Sequence, residues 1–180
     1  SDYLSGLTIA VQGLGKVGYD LCRLLKESGA NLIVANRSNK AMAEKAADEF
    51  GAVIVPTEQI YAQECDIFSP NAMGAILNPT TIPQLKCKAV AGGANNQILD
   101  DASGEALKAR GIFYAPDFVI NGGGVINAAA EVDGPYNKDA VLAKVDNIYN
   151  SIEHILYESK STGEPEGIIA TRYAESLIYK

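Results

Sequence analysis

The chemistry-bearing feature of this 180-residue chain is Gly13-Leu14-Gly15-Lys16-Val17-Gly18, a G-x-G-x-x-G run. Glycines at this spacing suit the binding of a dinucleotide pyrophosphate. Gly13 allows a tight turn. Gly15 removes a side chain so that backbone can approach the phosphates. Gly18 lets helix and strand pack closely. A helix N-terminus then presents unpaired N–H groups and the positive end of its dipole to the anion. Alone the motif is weak. It gains force because an apolar run, Leu7-Thr8-Ile9-Ala10-Val11-Gln12, leads in and an amphipathic stretch leads out. The competing reading is a glycine-rich strand-to-helix turn that holds no ligand.

Asn36 follows Gly13 by 23 residues, about where an acidic residue reads the adenosine ribose. That acid is absent. Asn36 removes the repulsion of a 2′-phosphate, Arg37 offers a charge-assisted contact and Ser38 a further hydrogen bond. NADP is therefore expected to be accepted or preferred. NAD binding through Asn36, with Arg37 a solvated charge, stays open. Two further clusters of small and amide residues stand where strands should end. They are Gly92-Gly93-Ala94-Asn95-Asn96-Gln97 and Asn121-Gly122-Gly123-Gly124-Val125-Ile126-Asn127. Side-chain amides there can read a carboxamide in both senses, although Gly and Asn also simply make turns.

The elements that must position these residues alternate. Strands are expected at residues 7–12, 32–35, 53–55, 67–68, 89–91 and 112–114. Helices are expected from Val17 through Leu21, Leu24 and Leu25 to a stop at Ser28-Gly29, over residues 39–50, and between Gly104 and Arg110. This alternation defines an α/β fold, doubly wound, with a mostly parallel sheet and helices on both faces. From about Gly124 onward no strand signal remains. Val141, Val145, Ile148, Ile152 and Ile155 form one helical stripe, residues 159–167 read as a polar loop, and a last helix spans 168–178. The stripe is expected to pack internally. The alternative is that part of it faces a further domain, which leaves self-association as a homo-oligomer open. Residues 1–180 are thus expected to be one dinucleotide-binding domain, a core over about 4–121 followed by a helical part over about 122–180.

Composition excludes several classes. A net charge of −7 and the absence of a basic stripe argue against nucleic acid. No apolar run reaches the ~18 residues of a membrane span. Cys22, Cys65 and Cys87 form no C-x-x-C pair and read as reduced, buried small hydrophobes, the pattern of a cytoplasmic protein. One histidine, His154, excludes a histidine-rich metal site and reads as a packing or surface residue.

In this order, the motifs resemble the cofactor domain of the glutamate/leucine/phenylalanine/valine dehydrogenase family, with leucine and phenylalanine dehydrogenases the nearest members. The resemblance runs from about Leu4 to Ser176. It is carried by residues 10–18, Glu64-Cys65-Asp66-Ile67-Phe68, Thr81-Ile82-Pro83-Gln84-Leu85 with Lys86, Ala94-Asn95-Asn96-Gln97 and residues 114–121. It implies a Rossmann-type fold. It implies NAD or NADP as cofactor, and oxidative deamination of a hydrophobic L-amino acid to its 2-oxo acid. By resemblance, residues 13–18 hold the pyrophosphate and Asn36 takes the ribose-acid position. Ala72 and Met73 flank the cofactor. Asn96 lies near nicotinamide and substrate, Asn121 fixes the carboxamide, and Val125 and Ala128 line the substrate pocket.

The departures are specific. The family's Pro-Cys-Ala-x-Gly-Gly stands here as Pro70-Asn71-Ala72-Met73-Gly74-Ala75, and its Asn-Ala-Gly-Gly as Asn121-Gly122-Gly123-Gly124. Ala128 replaces a larger valine, which implies room for a side chain bulkier than leucine. The family's catalytic lysines and aspartate belong to an N-terminal domain, and none precedes Ser1, which is itself not a Met. The chain is therefore expected to be a piece of something longer that binds dinucleotide without turning over an amino acid. Two rivals remain. One is a non-enzymatic dinucleotide-sensing module, which would have no need of residues 121–128. The other is a complete reductase of another kind, for which Tyr61 or Lys86 would have to serve as proton donor.

Overall fold

The computed structural model describes residues 3–132 and 135–179. Six strands form one sheet: β1 (Thr8–Gln12), β2 (Asn31–Ala35), β3 (Val53–Ile54), β4 (Ile67–Pro70), β5 (Ala89–Val90) and β6 (Phe113–Tyr114). Their spatial order is β3-β2-β1-β4-β5-β6, and every pairing is parallel. This is the doubly wound, Rossmann-type arrangement that the strand–helix alternation predicts.

Side chains alternate across each strand, so the sheet feeds two cores. On one face Ile9, Val11, Leu32 and Val34 pack with Cys22 of α1 (Lys16–Glu27) and with Ala43, Ala46 and Phe50 of α2 (Lys40–Phe50). On the other face Ala10, Phe68, Val90 and Tyr114 meet Leu107 of α3 (Asp101–Ala109). They also meet Ile60 and Ile82, from two short 3-10 segments at Thr57–Ala62 and Ile82–Gln84. Such fully covered strands explain why β1 and β2 read as near-continuous apolar runs.

Asp66 staples the amino-terminal edge of this sheet. Its carboxylate accepts the Thr8 N–H at 3.0 Å and the Lys88 ammonium at 2.9 Å. Both contacts hold its pKa below the usual carboxylate range, the lysine more strongly.

After β6 the chain is helical: α4 (Asp117–Ile120), α5 (Gly123–Val132), α6 (Lys138–Thr162) and α7 (Glu166–Ile178). The predicted stripe packs inward, with Val141 and Ile155 buried and Val145, Ile148 and Ile152 half-buried. The expected polar loop over 159–167 is shorter than the sequence suggested. Helix α6 continues to Thr162, and only residues 163–165 are non-helical. Ser159, read as loop, is fully buried. Its hydroxyl donates to Glu166, and Lys108 of α3 reaches both. Partners seven and 51 positions away in sequence bury it. This joint ties α6 and α7 to the sheet's far face. Helix α3 starts earlier than expected because Asp100 caps it, accepting the Ser103 N–H at 2.8 Å.

Candidate functional site

The centre of the sheet is where strand order reverses. β1 and β4 lie side by side with Gln12 opposite Pro70 at their carboxyl ends. The chain leaves β1 toward β2 and leaves β4 toward β5, so the two exits diverge and open a crevice. The glycine loop fills one lip of it. Gly13 has φ +94°, and a Cβ there would sit 2.7 Å from Ala72 Cβ. A Cβ on Gly18 would fall 2.0 Å from the Gly13 carbonyl oxygen. A Cβ on Gly15 would meet no atom within 4 Å. Two glycines are therefore demanded by packing, while Gly15 leaves an open approach. Helix α1 begins behind it with Gly15 as N-cap and neither a side-chain cap nor an acid in its first turn. Its first N–H groups stay available to an anion. The site thus suits a pyrophosphate, as a cradle that added side-chain atoms would close.

Asn36 ends up half-buried and braced. Its Oδ1 accepts the Leu14 N–H at 3.2 Å and its Nδ2 donates to the Asn39 carbonyl at 2.8 Å. Gly13 N–H also donates to the Ala35 carbonyl at 2.8 Å, which stitches the loop to β2. A groove of about 660 Å³ runs between the loops, lined by Gly13, Gly15, Asn36, Arg37, Ser38, Ala72 and Met73, with Gln12 and Tyr61 at its floor. A second hollow of about 500 Å³ adjoins it at Asn36, Arg37 and Thr57 and adds Lys40. Sequence reasoning missed Lys40. No local signal marks it, because only the fold brings the first residue of α2 into the hollow beside Arg37.

The other amides gather at the ends of β4 and β5. Asn71 accepts the Gly93 N–H at 2.9 Å and donates to the Ser69 hydroxyl and carbonyl at 3.0 Å. A cysteine in its place, with only a weak S–H donor and a weak sulfur acceptor, would make that bridge poorly. The Asn121 amide donates to Asn95 Oδ1 at 2.5 Å. Asn96 is exposed, has φ +52°, and accepts the Ala75 N–H through its carbonyl at 2.6 Å. Buried Gln97 donates to the carbonyls of Gly92 and Ala94 and holds this loop together. The second glycine cluster does not directly follow a strand, because α4 intervenes and Gly123 and Gly124 start α5.

An apolar cavity of about 510 Å³ lies between α1 and the start of α5, bordered by Val17, Gly92, Gly93 and Asn121. Asn71 lines both this cavity and the groove. Asn96 lines none of these hollows, nor do Val125 and Ala128, which share one exposed face of α5. Leu14 and Gly18 are buried in the loop's support, and Lys16 is exposed at the start of α1.

Other candidates take structural places. Lys86 pairs with Glu64 at 2.8 Å, at the strand edge opposite the glycine loop. His154 stacks on Tyr173 with ring centroids 4.5 Å apart and approaches Glu158. Cys22 and Cys87 are buried and Cys65 is half-buried. Burial pushes the Cys22 thiol up to about 11 and the Cys65 thiol up to about 12, so neither is a ready nucleophile. Among the described residues no group of three His, Cys, Asp or Glu side chains could hold a metal ion. No described helix is long and apolar enough to cross a membrane.

Comparison with known proteins extends over nearly the whole chain. The chain is 50% identical over 178 residues to leucine dehydrogenase of Bacillus subtilis, covering 99% of this chain and 48% of that protein. It is 45% identical over 163 residues to phenylalanine dehydrogenase of Lysinibacillus sphaericus, covering 88% of this chain and 42% of the other. The crystal structure of L-tryptophan dehydrogenase from Nostoc punctiforme superposes with a TM-score of 0.94 at 40% identity, over 99% of this chain and 54% of that one. The chain therefore spans about half the length of the relatives it matches. The model of the Glutamate/Leucine/Phenylalanine/Valine dehydrogenase family matches residues 31–164, most of the chain, and to that family the chain belongs.

Proposed function

We propose that this chain is the dinucleotide-binding part of an enzyme that oxidatively deaminates a hydrophobic L-amino acid to its 2-oxo acid. The observation that carries the reading is the glycine loop at the point where strand order reverses. Gly13 and Gly18 permit no side chain there, and Gly15 faces open space. When bound, the nicotinamide supplies the hydride acceptor.

The chain's own residues divide the binding work. The N–H groups at the start of α1 hold the pyrophosphate. Arg37, Ser38 and Lys40 surround the ribose end and favour a 2′-phosphate, so NADP is the preferred cofactor. Asn36 is engaged on both sides of its amide, which leaves the ribose to those neighbours. Ala72 and Met73 cover the groove's other lip. Asn121, aligned by Asn95, presents an amide toward the carboxamide, and Asn96 sits toward the substrate. Val125 and Ala128 offer an apolar face to the amino-acid side chain. The groups that move protons at the α-carbon belong, on this reading, to polypeptide outside this chain.

The test is a titration of the purified chain with NADPH and NADH, followed by nicotinamide fluorescence, beside a deamination assay. Binding of both, tighter for NADPH, without turnover is the expected result. No binding would remove the proposal, and measurable deamination by the chain alone would overturn its division of labour.

A further inference from the structure

Cys65 and Cys87 lie beside each other where the chain enters β4 and β5. These strands pair in parallel with Ile67 opposite Ala89 and Phe68 opposite Val90. Just before them an isolated bridge sets Glu64 opposite Lys86. All these pairs share one offset of 22 positions, so Cys65 falls opposite Cys87. Ion pairs hold this register on both sides, Lys86 with Glu64 at 2.8 Å and Lys88 with Asp66 at 2.9 Å. The Lys88 N–H also donates to the Asp66 carbonyl at 3.0 Å.

Both thiols enter the same core. Cys87 is buried in the cluster around Phe68 and Leu107, and half-buried Cys65 packs against that cluster. They are near enough that a charge on Cys87 raises the pKa of Cys65, after the larger effect of burial. Neighbouring strands run about 4.8 Å apart, inside the range of roughly 4.4–6.8 Å between Cα atoms that a disulfide spans. Cys22 is buried in the core on the opposite face of the sheet, which bars it from either partner.

We propose that Cys65 and Cys87 are a redox site, which a small disulfide oxidises to an intramolecular disulfide. The thiolate of Cys65, the more exposed residue, attacks one sulfur of the reagent and expels the other half as a thiolate. The Cys87 thiolate then attacks Cys65 Sγ and expels the second half. The two cysteines lose two electrons, the reagent gains them, and the cysteine protons end on the two released thiols. Burial holds both thiols above their ordinary pKa, so the exchange is slow, and the Arg110 guanidinium partly offsets this at Cys87. The loop that the bond closes carries Ala72 and Met73, one lip of the nucleotide groove. Closing it restricts the unfolded chain, so the oxidised form is the more stable. The site lies at the end of the sheet away from the glycine loop and stands whether or not the groove holds a dinucleotide.

The experiment incubates the native chain with excess oxidised glutathione, blocks the remaining thiols with iodoacetamide and maps tryptic peptides by mass. Cleavage after Lys86 separates the two cysteines, so linked peptides report the bond. Linkage of Cys65 to Cys87 is expected at least about tenfold above either pairing with Cys22, because only the held pair meets disulfide geometry. Dithiothreitol should undo it. The oxidised chain should unfold at a higher urea concentration than the reduced one. Cys87→Ala, a small change in buried volume, should stop at the Cys65–glutathione adduct and show no such shift. Free thiols at both positions of the unaltered chain, a lasting glutathione adduct on its Cys65, or equal amounts of all possible pairings would each overturn the proposal, without need of the variant. A midpoint that fails to rise would overturn it too, since the bond would then be made at the expense of the fold.

Discussion

Asn36 holds Leu14 in place: the asparagine side chain at the end of β2 accepts the Leu14 N–H from within the glycine loop at 3.2 Å. The same amide donates to the Asn39 carbonyl at 2.8 Å, so it needs both an acceptor and a donor. An aspartate can keep only the first bond. Asn36→Asp should therefore loosen the β2–α2 turn and set a negative charge beside the 2′-phosphate. NADPH affinity is expected to fall by about tenfold or more while NADH changes little, from charge repulsion near the surface. Parallel fluorescence titrations with both cofactors check it.

Arg37 and Lys40 are both exposed, so each contact with a phosphate is worth about 1 kcal/mol, roughly fivefold in affinity. Alanine at either position should weaken NADPH by about that factor and leave NADH nearly unchanged, and the double variant should combine the losses. Because surface charge pairs are screened, the preference for NADPH should also shrink as salt rises. A preference indifferent to both substitutions and to salt would place the 2′-phosphate elsewhere.

Ala75 adopts φ +54°, a left-handed conformation that glycine takes more readily. Such strain costs about 1–2 kcal/mol for an L side chain. Glycine recovers it but adds about 0.4–1 kcal/mol of unfolded-state entropy. Ala75→Gly should thus stabilise the fold by about 0.5–1 kcal/mol. Urea unfolding would show this as a raised midpoint with an unchanged slope.

Asp66 predicts an acid-dependent term. Its pKa is held down by Lys88 and by the Thr8 N–H, so the folded state favours the ionised carboxylate. A carboxyl depressed on folding stabilises fully above its unfolded pKa, near ~3.9, and loses that contribution as pH falls through the folded value. Asp66→Asn should therefore be less stable than the unaltered chain at neutral pH. The gap should start to narrow near pH ~4 and close only once pH has fallen through the lower folded-state value, where both carry an uncharged side chain. Unfolding midpoints measured across that range would reveal a pH-independent gap if the ionised form contributes nothing.

Ala128 and Val125 share an exposed face of α5. On the proposed function, and with Ala128 in the place that the family resemblance gives to a larger valine, the complete enzyme should accept phenylalanine as well as or better than leucine. Ala128→Val should shift kcat/KM toward leucine by about tenfold, the scale of one or two methylenes in an apolar pocket. Strict preference for leucine or valine in the unaltered enzyme would contradict this.

Much of the fold was legible because period and punctuation agreed locally. β1, Gly13 and α1 form one uninterrupted signal, and the spacing to Asn36 follows from the length of α1. Elements too short for a period were not legible. The 3-10 turns at Thr57–Ala62 and Ile82–Gln84 and the four-residue α4 fall in this class. Ser159 misled because its neighbours are polar, while its burial depends on Lys108 and Glu166. In the site, the glycines could be read from type and spacing. Lys40 could not, because nothing local separates it from a solvated lysine until the hollow beside Arg37 is seen. Tyr61 was readable only as a nominal proton donor. Its link to Gln12 spans 49 positions of sequence.

The exposure of Arg37, Ser38 and Lys40 has an evolutionary consequence. None of them belongs to the sheet's two cores, and the brace at the strand end is carried by Asn36 and by the backbone bond from Gly13 to Ala35. Substitutions at the three exposed positions would meet little selection for folding. Descendants could drift between cofactor pools one codon at a time, each intermediate remaining a foldable protein.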